Sequence, residues 1–201
     1  FFAQNINSQV REKAEKHLKN FEKESPLDFY SDLFRIFKKE SISVELRGLA
    51  GLILKNQIDF FIKEGDFKKN EKSLKIKGNF FKIQLKKMLF ETFDSPSIIV
   101  RRTSSQIFAK VSKMEILEGK GSQIFKSFFS MFSKGKSGIF YSSILETIEF
   151  ICQEFQFSGF PKILEEFSKE LFDIIVFSTE QPFHREKELE ISSLKAFNAS
   201  I

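Results

Sequence analysis

One spacing recurs along the chain: an apolar residue, a small residue four positions later, and a large apolar residue four positions after that. Steps of four residues return to the same face of an α-helix, and a small residue at the centre lets a neighbouring helix approach closely. These segments are therefore predicted to be packed helices. The occurrences are Val10, Ala14 and Leu18; Leu46, Ala50 and Leu54; Val100, Ser104 and Phe108; Ser143, Thr147 and Ile151, the weakest because it begins with serine; and Leu189, Ser193 and Phe197.

The intervals between these triplets predict a repeat protein. They begin at residues 10, 46, 100, 143 and 189, so they lie 36 to 54 residues apart, which brackets the ~40–47 residues of a HEAT unit. Only the interval from 46 to 100 is long, and we expect residues Gln57 to Gly78 to form an inserted segment at the edge of the array. The helices between the triplets each have one apolar face, so units of two helices bury a continuous core only by stacking.

Turn signals such as Ser25-Pro26 separate these helices. We predict an all-α fold, a HEAT-repeat (armadillo-like) α-solenoid of stacked antiparallel helix pairs. Residues 1–201 are expected to form a single N-terminal solenoid segment of about five HEAT units, truncated at both ends, because the chain starts with Phe1 instead of Met and stops within a helical pattern. The predicted helices are 8–22, 26–40, 43–60, 79–93, 96–113, 120–134, 137–155, 160–178 and 185–201.

The charge of the chain raises the question of nucleic acid. The formal net charge is +5, but the basic residues are scattered among 27 acidic ones. The nearest approach to a cluster is the stretch from Lys68 to Lys77, which we interpret as a solvated loop or, alternatively, as a basic contact surface. Hydrophobic residues make up 41% of the chain and charged residues 29%, which is typical of a folded, water-soluble protein.

Few residues are suited to catalysis or metal binding. Cys152, His17 and His184 are too few for the usual zinc ligand sets, and no nucleophile adjoins either histidine. Gly135-Lys136-Ser137 is similar to the end of a phosphate-binding loop, but Ser130 stands where that motif has its leading glycine. We therefore expect no enzyme activity, metal or cofactor, and no apolar run is long enough to span a membrane.

An arginine follows the first residue of three triplets, at Arg11, Arg47 and Arg101. In a stacked array these side chains would form a ladder. Such a ladder either pairs with acids between repeats or binds a ligand.

Three stretches go beyond a generic HEAT pattern and together resemble the N-terminal region of the importin beta family of karyopherins. Weaker similarity runs through nearly all 201 residues, whereas the basic charge departs from the acidic character of most such receptors. The stretches are Arg47-Gly48-Leu49-Ala50-Gly51-Leu52-Ile53-Leu54-Lys55-Asn56, Leu145-Glu146-Thr147-Ile148-Glu149-Phe150-Ile151-Cys152-Gln153 and Ala196-Phe197-Asn198-Ala199-Ser200-Ile201.

The resemblance implies a receptor that carries cargo through nuclear pores and releases it when Ran-GTP binds, and that is found in the cytoplasm, in the nucleus and at the pores of the nuclear envelope. In that family the second helices of the N-terminal repeats face Ran. Lys55 is then the main candidate Ran contact, with Arg47 and Arg101 as further candidates. The alternative for Lys55 is a surface lysine whose stem lies along apolar residues, and Asn56 is expected to satisfy backbone groups at a helix end.

The family also has a shallow pocket for the Phe-Gly repeats of nucleoporins, between outer helices of neighbouring repeats. By alignment, its first half falls on Phe172, Asp173 and Val176, and its second half lies beyond Ile201. Buried core positions with a solvent-facing aspartate are the alternative. Importin alpha and most cargo would be bound by later repeats that are absent here.

A second function remains open at this stage. The chain could belong to a HEAT scaffold of another assembly that binds nucleic acid through a basic surface, which the net charge favours. The Leu-Lys-Asn and Ile-Cys-Gln motifs favour the transport receptor, although they resolve the karyopherin subfamily poorly.

Overall fold

The regular secondary structure of this chain is helical throughout the part that the computed structural model describes. That part comprises residues 8–67, 83–132, 137–155, 168–180, 191–192 and 194–196, and it contains no strand. The helices are α1 (Ser8–Glu24), α2 (Pro26–Lys38), α3 (Val44–Phe67), α4 (83–92), α5 (Ile98–Leu117), α6 (Gly121–Phe132), α7 (Gly138–Phe155) and α8 (Ser168–Glu180), with further helical residues at 191–192 and 194–196.

The helices form two layers. In one layer α3 packs on α5 and α5 packs on α7. In the other layer Lys38 of α2 forms an ion pair with Glu91 of α4, the Phe90 ring of α4 contacts the Phe128 ring of α6, and α6 packs on α8. Contacts of α2 with α3 and of α5 with α6 join the layers. This arrangement is the predicted α-solenoid of stacked helix pairs.

Aromatic side chains fill the space between the layers. Phe90 and Phe108 have ring centroids 4.8 Å apart, and Phe93 lies 6.0 Å from Phe108 and 5.9 Å from Phe140. Because these rings come from α4, α5, α7 and the turn after α4, they connect successive units. The phenylalanine content of the sequence thus supplies core volume that leucine provides in other cores.

The recurring triplet marks the faces where α3, α5 and α7 meet. Ala50, Ser104 and Thr147, its central residues in these helices, are all buried. The two hydroxyls are satisfied within their own helices, since Ser104 Oγ donates to the Val100 carbonyl at 2.9 Å and Thr147 Oγ1 to the Ser143 carbonyl at 2.7 Å. Short side chains with internal hydrogen bonds allow close packing without an unpaired polar group.

Helix α2 begins where the sequence predicts. Ser25 precedes the helix and Pro26 is its first residue. Proline is suited to this position because its fixed φ matches a helix and the first turn requires no amide donor. Ser25 makes no side-chain capping hydrogen bond, so proline and the acidic Asp28 of the first turn are the local start signals.

The predicted insertion from Gln57 to Gly78 is wrong in its first half. Helix α3 continues to Phe67, seven residues beyond the predicted end at 60, so part of the long interval is a longer helix. The remainder of that segment, including the lysines from 68 to 77, lies outside the described residues. The predicted helices 160–178 and 185–201 are described only in part, and the last triplet also lies outside.

Candidate protein-binding surface

A polar groove crosses the exposed side of the layer formed by α3, α5 and α7. Its volume is about 480 Å³. One residue comes from α3, three from α5 and three from α7, so three successive units contribute to it. The lining residues are Lys55, Gln106, Lys110, Lys113, Phe150, Gln153 and Glu154.

Helical spacing explains why these side chains converge. On α5, residues 106, 110 and 113 are three or four positions apart and therefore share one face. The opposite face of the same helix carries Ile107, Phe108 and Val111, which are buried in the core. Burial of the apolar face thus fixes the direction in which the lysines point.

Lys55 stands on the α3 side of this groove and is half-buried. Within the part of the chain that the structure describes, its ammonium group makes no hydrogen bond or ion pair. Its neighbour Asn56 is exposed in the interior of α3. The prediction that Asn56 satisfies backbone groups at a helix end is therefore wrong, because α3 continues past it for 11 residues to Phe67.

Lys113 is held by contacts across the groove from α5 to α7. Its Nζ atom donates to the Glu154 main-chain carbonyl at 2.7 Å and to Glu154 Oε2 at 3.2 Å. The same ammonium lies 5.7 Å from the centroid of the Phe155 ring. A cationic group also adjoins Phe150, since the Arg102 guanidinium is 5.8 Å from that ring's centroid. Cation–π contacts therefore involve two aromatic rings of α7, the groove-lining Phe150 and the buried Phe155.

Arg47 and Arg101 lie in the interior, away from this surface. Their exposed fractions are 2% and 4%. Arg47 Nε donates to the Phe37 carbonyl at 2.9 Å and its Nη2 to Ser95 Oγ at 3.2 Å, while Arg101 Nη1 donates to the Ser95 carbonyl at 2.8 Å. Both arginines therefore tie the turn before α5 to the core.

This burial corrects the hypothesis that Arg47 and Arg101 contact a partner, because an interior guanidinium cannot present its charge to another protein. The predicted arginine ladder also does not pair with acids between repeats. Arg47 bonds a backbone carbonyl and a serine hydroxyl, not acids, and Arg11 is exposed and forms an ion pair with Glu15 of its own helix at 3.8 Å.

The candidate Phe-Gly residues lie on α8 in the other layer. Phe172 is 52% exposed, Asp173 is exposed and Val176 is half-buried. Their spacing places them on one side of the helix. Phe172 therefore combines an apolar ring with solvent access, which a buried core position would not have.

An apolar cleft between α1, α2 and α3 was not anticipated from the sequence. Its volume is about 550 Å³, and Ala14, Leu18, Leu33, Leu49 and Ile53 are among the residues that line it. The first triplet, from Val10 to Leu18, was the available signal, since its apolar face points into this cleft.

Cys152 is buried in α7. Loss of hydration raises the pKa of its thiol to about 11, with Glu149 adding a smaller repulsion. A thiol that stays protonated at neutral pH is a poor nucleophile. Among the described residues no cluster of three His, Cys, Asp or Glu side chains could hold a metal ion, and none of the described helices is long and apolar enough to cross a membrane.

The chain is similar to known proteins in three kinds of comparison. Residues 14–78 match the model of the importin-beta N-terminal domain. Importin subunit beta-1 of Arabidopsis thaliana is 29% identical over 152 residues, which cover 76% of this chain and 17% of that protein. A crystal structure of importin beta in an ammonium sulfate condition superposes with a TM-score of 0.73 and 16% sequence identity, over 98% of this chain and 22% of that one.

These matches differ in what they support. The structural match concerns the fold, and it extends over nearly the whole chain. The family model begins at residue 14 within α1, covers α2 and α3, including Lys55 of α3, and ends at residue 78. The chain spans about a fifth of the length of the relatives it matches.

Proposed function

We propose that this chain is a segment of a nuclear transport receptor of the importin-beta family and that it binds the GTP form of Ran through the α3, α5 and α7 layer. The similarity of residues 14–78 to the importin-beta N-terminal domain supports this proposal. The observation that carries this proposal is the position of Lys55. It lies in the stretch that matches the family model and also on the wall of the polar groove.

The charge of the groove supports this role. Lys55, Lys110 and Lys113 line it together with a single acid, Glu154. A cationic surface of this kind favours a partner that presents acidic side chains, and it accelerates their encounter. The residues of the groove come from three helices of one packed layer, so little ordering is required when a partner binds.

The test is isothermal titration calorimetry of the 201-residue chain with Ran that is loaded either with a non-hydrolysable GTP analogue or with GDP. We expect clear preference for the GTP form, and we expect Lys55→Glu to weaken that binding by about ten-fold or more through charge reversal. Lys126→Glu on α6 is the matched control, because Lys126 is exposed in the other layer.

Equally weak affinity for Ran-GTP and Ran-GDP, in a chain whose circular dichroism spectrum is helical, would refute Ran-GTP binding by this segment. Equal losses in the Lys55 and Lys126 variants would instead refute the placement of the contact on α3.

We further propose that Phe172, Asp173 and Val176 form half of a site for Phe-Gly nucleoporins. The exposed ring of Phe172 is the supporting feature. Phe172→Ala should reduce retention of the chain on an immobilised Phe-Gly repeat fragment, whereas Phe129→Ala should leave it unchanged. Phe129 is a matched control because it is 50% exposed and lies on α6 in the same layer. Equal effects of both changes would refute a specific site.

The proposed role requires no catalysis. The segment would act in the import of protein cargo between cytoplasm and nucleus, at the nuclear pores, while importin alpha or cargo would be bound by later repeats. The burial of Cys152 agrees with a binding role, since it withdraws the thiol from reaction.

A further inference from the structure

We propose that Glu154 competes with an acidic partner of the polar groove for binding to Lys113. It occupies Lys113 in the free protein, and an incoming carboxylate must displace it before that lysine can bind the partner. The inference rests on the proposed function in so far as Ran is the partner, but the acid-binding chemistry of the groove can be tested separately.

The contacts of Lys113 divide into a fixed set and a movable set. The Glu154 main-chain carbonyl and the Phe155 ring belong to α7 and stay in place when a side chain rotates. The Glu154 carboxylate can rotate away, and its 3.2 Å contact is longer than the 2.7 Å bond to the carbonyl. Displacement of the carboxylate therefore leaves Lys113 anchored at the groove.

The partial exposure of this ion pair makes such an exchange feasible. The side chains of Lys113 and Glu154 are 29% and 33% exposed. A fully buried pair would be costly to separate, and a fully exposed pair would hardly compete with a partner. Because the Lys113–Glu154 pair is only partly exposed, Glu154 competes with the partner for Lys113, but a carboxylate of the partner can displace it.

The remaining charges of the groove define the partner. Lys55 and Lys110 add two positive charges beside the Lys113–Glu154 pair. Gln106 and Gln153 provide amide groups that can donate and accept, which suits the backbone and side chains of a polypeptide. These features fit an acidic protein segment better than a nucleic acid.

The decisive variant is Glu154→Gln. It keeps the size of the side chain but removes the competing charge, so affinity for Ran bound to a non-hydrolysable GTP analogue should rise by about five-fold. Glu91→Gln is the matched control, because Glu91 also forms an ion pair with a lysine of another helix, Lys38, in the other layer. That change should have no effect on affinity.

A double-mutant cycle separates direct competition from a general change in charge. In a Lys113→Gln background the gain from Glu154→Gln should fall to about two-fold, because only the repulsion by Glu154 remains to be relieved. An equal gain in both backgrounds would overturn the proposal, and so would a loss of affinity in Glu154→Gln. Thermal unfolding of each variant, followed by circular dichroism, establishes that it is folded.

A polyglutamate peptide provides a probe that is independent of Ran. Its binding at low salt, measured by fluorescence anisotropy, should show the same pattern across the four proteins of the cycle. Failure of Ran to bind, together with this pattern for polyglutamate, would refute the proposed function and leave the acid-binding groove standing. A gain for a single-stranded oligonucleotide but not for polyglutamate would overturn the proposal in favour of a nucleic-acid surface.

Discussion

Gly51 of α3 provides a quantitative test of how closely the helices pack. A Cβ atom added at this position would lie 2.5 Å from Cε2 of Phe37, on α2, and 2.8 Å from Cγ2 of Thr103, on α5. Phe37 is 1% exposed, so its ring has no solvent into which it can move. Gly51→Ala must therefore shift atoms of two other helices, including the buried ring of Phe37.

A second glycine in the same helix isolates this steric effect. At Gly48 the nearest atom to an added Cβ is Cγ2 of Ile99 at 3.5 Å, an ordinary contact. Both substitutions gain the helix-forming preference of alanine over glycine, about 0.8–1 kcal/mol. Only Gly51→Ala carries the overpacking cost of about 1–3 kcal/mol, so the difference between the two variants measures that cost directly.

The assay is urea unfolding of wild type and both variants, followed by circular dichroism at equal protein concentration. Gly48→Ala should be more stable than wild type by up to about 1 kcal/mol. Gly51→Ala should be less stable than Gly48→Ala by about 1–3 kcal/mol, or a difference of roughly 2–12 °C in melting temperature for a chain of this size. Equal stabilisation by both changes would refute the close approach of α2, α3 and α5 at Gly51.

Arg47→Ala should lower the free energy of unfolding by about 2–4 kcal/mol because it removes buried hydrogen bonds to Phe37 and Ser95. Arg11→Ala, on the exposed face of α1, should change it by less than about 0.5 kcal/mol. Similar losses for both variants in urea unfolding would contradict the structural role of Arg47. Ser112→Ala should leave stability unchanged or raise it by up to about 1 kcal/mol, because the Ser112 hydroxyl is buried without a hydrogen-bond partner, and a clear loss in the same assay would indicate a missed partner. Cys152 should react with a thiol reagent at pH 8 only after unfolding, and rapid labelling of the native chain would refute its burial. The free energy of unfolding should fall as the pH rises from about 9 to about 11, because the thiol ionises at lower pH in the unfolded chain than in the folded one.

The spacing of small and apolar residues was sufficient to predict the fold. It predicted helices from the triplets of α3, α5 and α7, and these triplets lie at the faces where the helices pack. Patterns of this kind succeed because burial of one face determines the orientation of each helix. The same reasoning did not give the end of α3, since a wide interval between repeats can be taken up either by a loop or by a longer helix.

The candidate site could be predicted only in part. The family motif identified Lys55, which the structure places on the groove. The motif could not indicate that Lys55 lines the groove whereas Arg47 is buried, because the burial of Arg47 depends on its contact with Ser95, 48 residues away in the sequence. The pairing of Lys113 with Glu154 was missed for the same reason, as these residues belong to different helices and adjoin only after the units stack.

The most direct test of the proposed Ran site is to determine which helix layer contacts Ran. A photo-crosslinking amino acid placed at position 55 on α3, or at position 126 on α6, would be irradiated in the presence of Ran bound to a non-hydrolysable GTP analogue. We expect a crosslink to Ran from position 55 and none from position 126, with the yield at position 55 falling when GDP replaces the analogue. A crosslink from position 126 alone, or equal yields at position 55 with both nucleotides, would contradict the proposed Ran site.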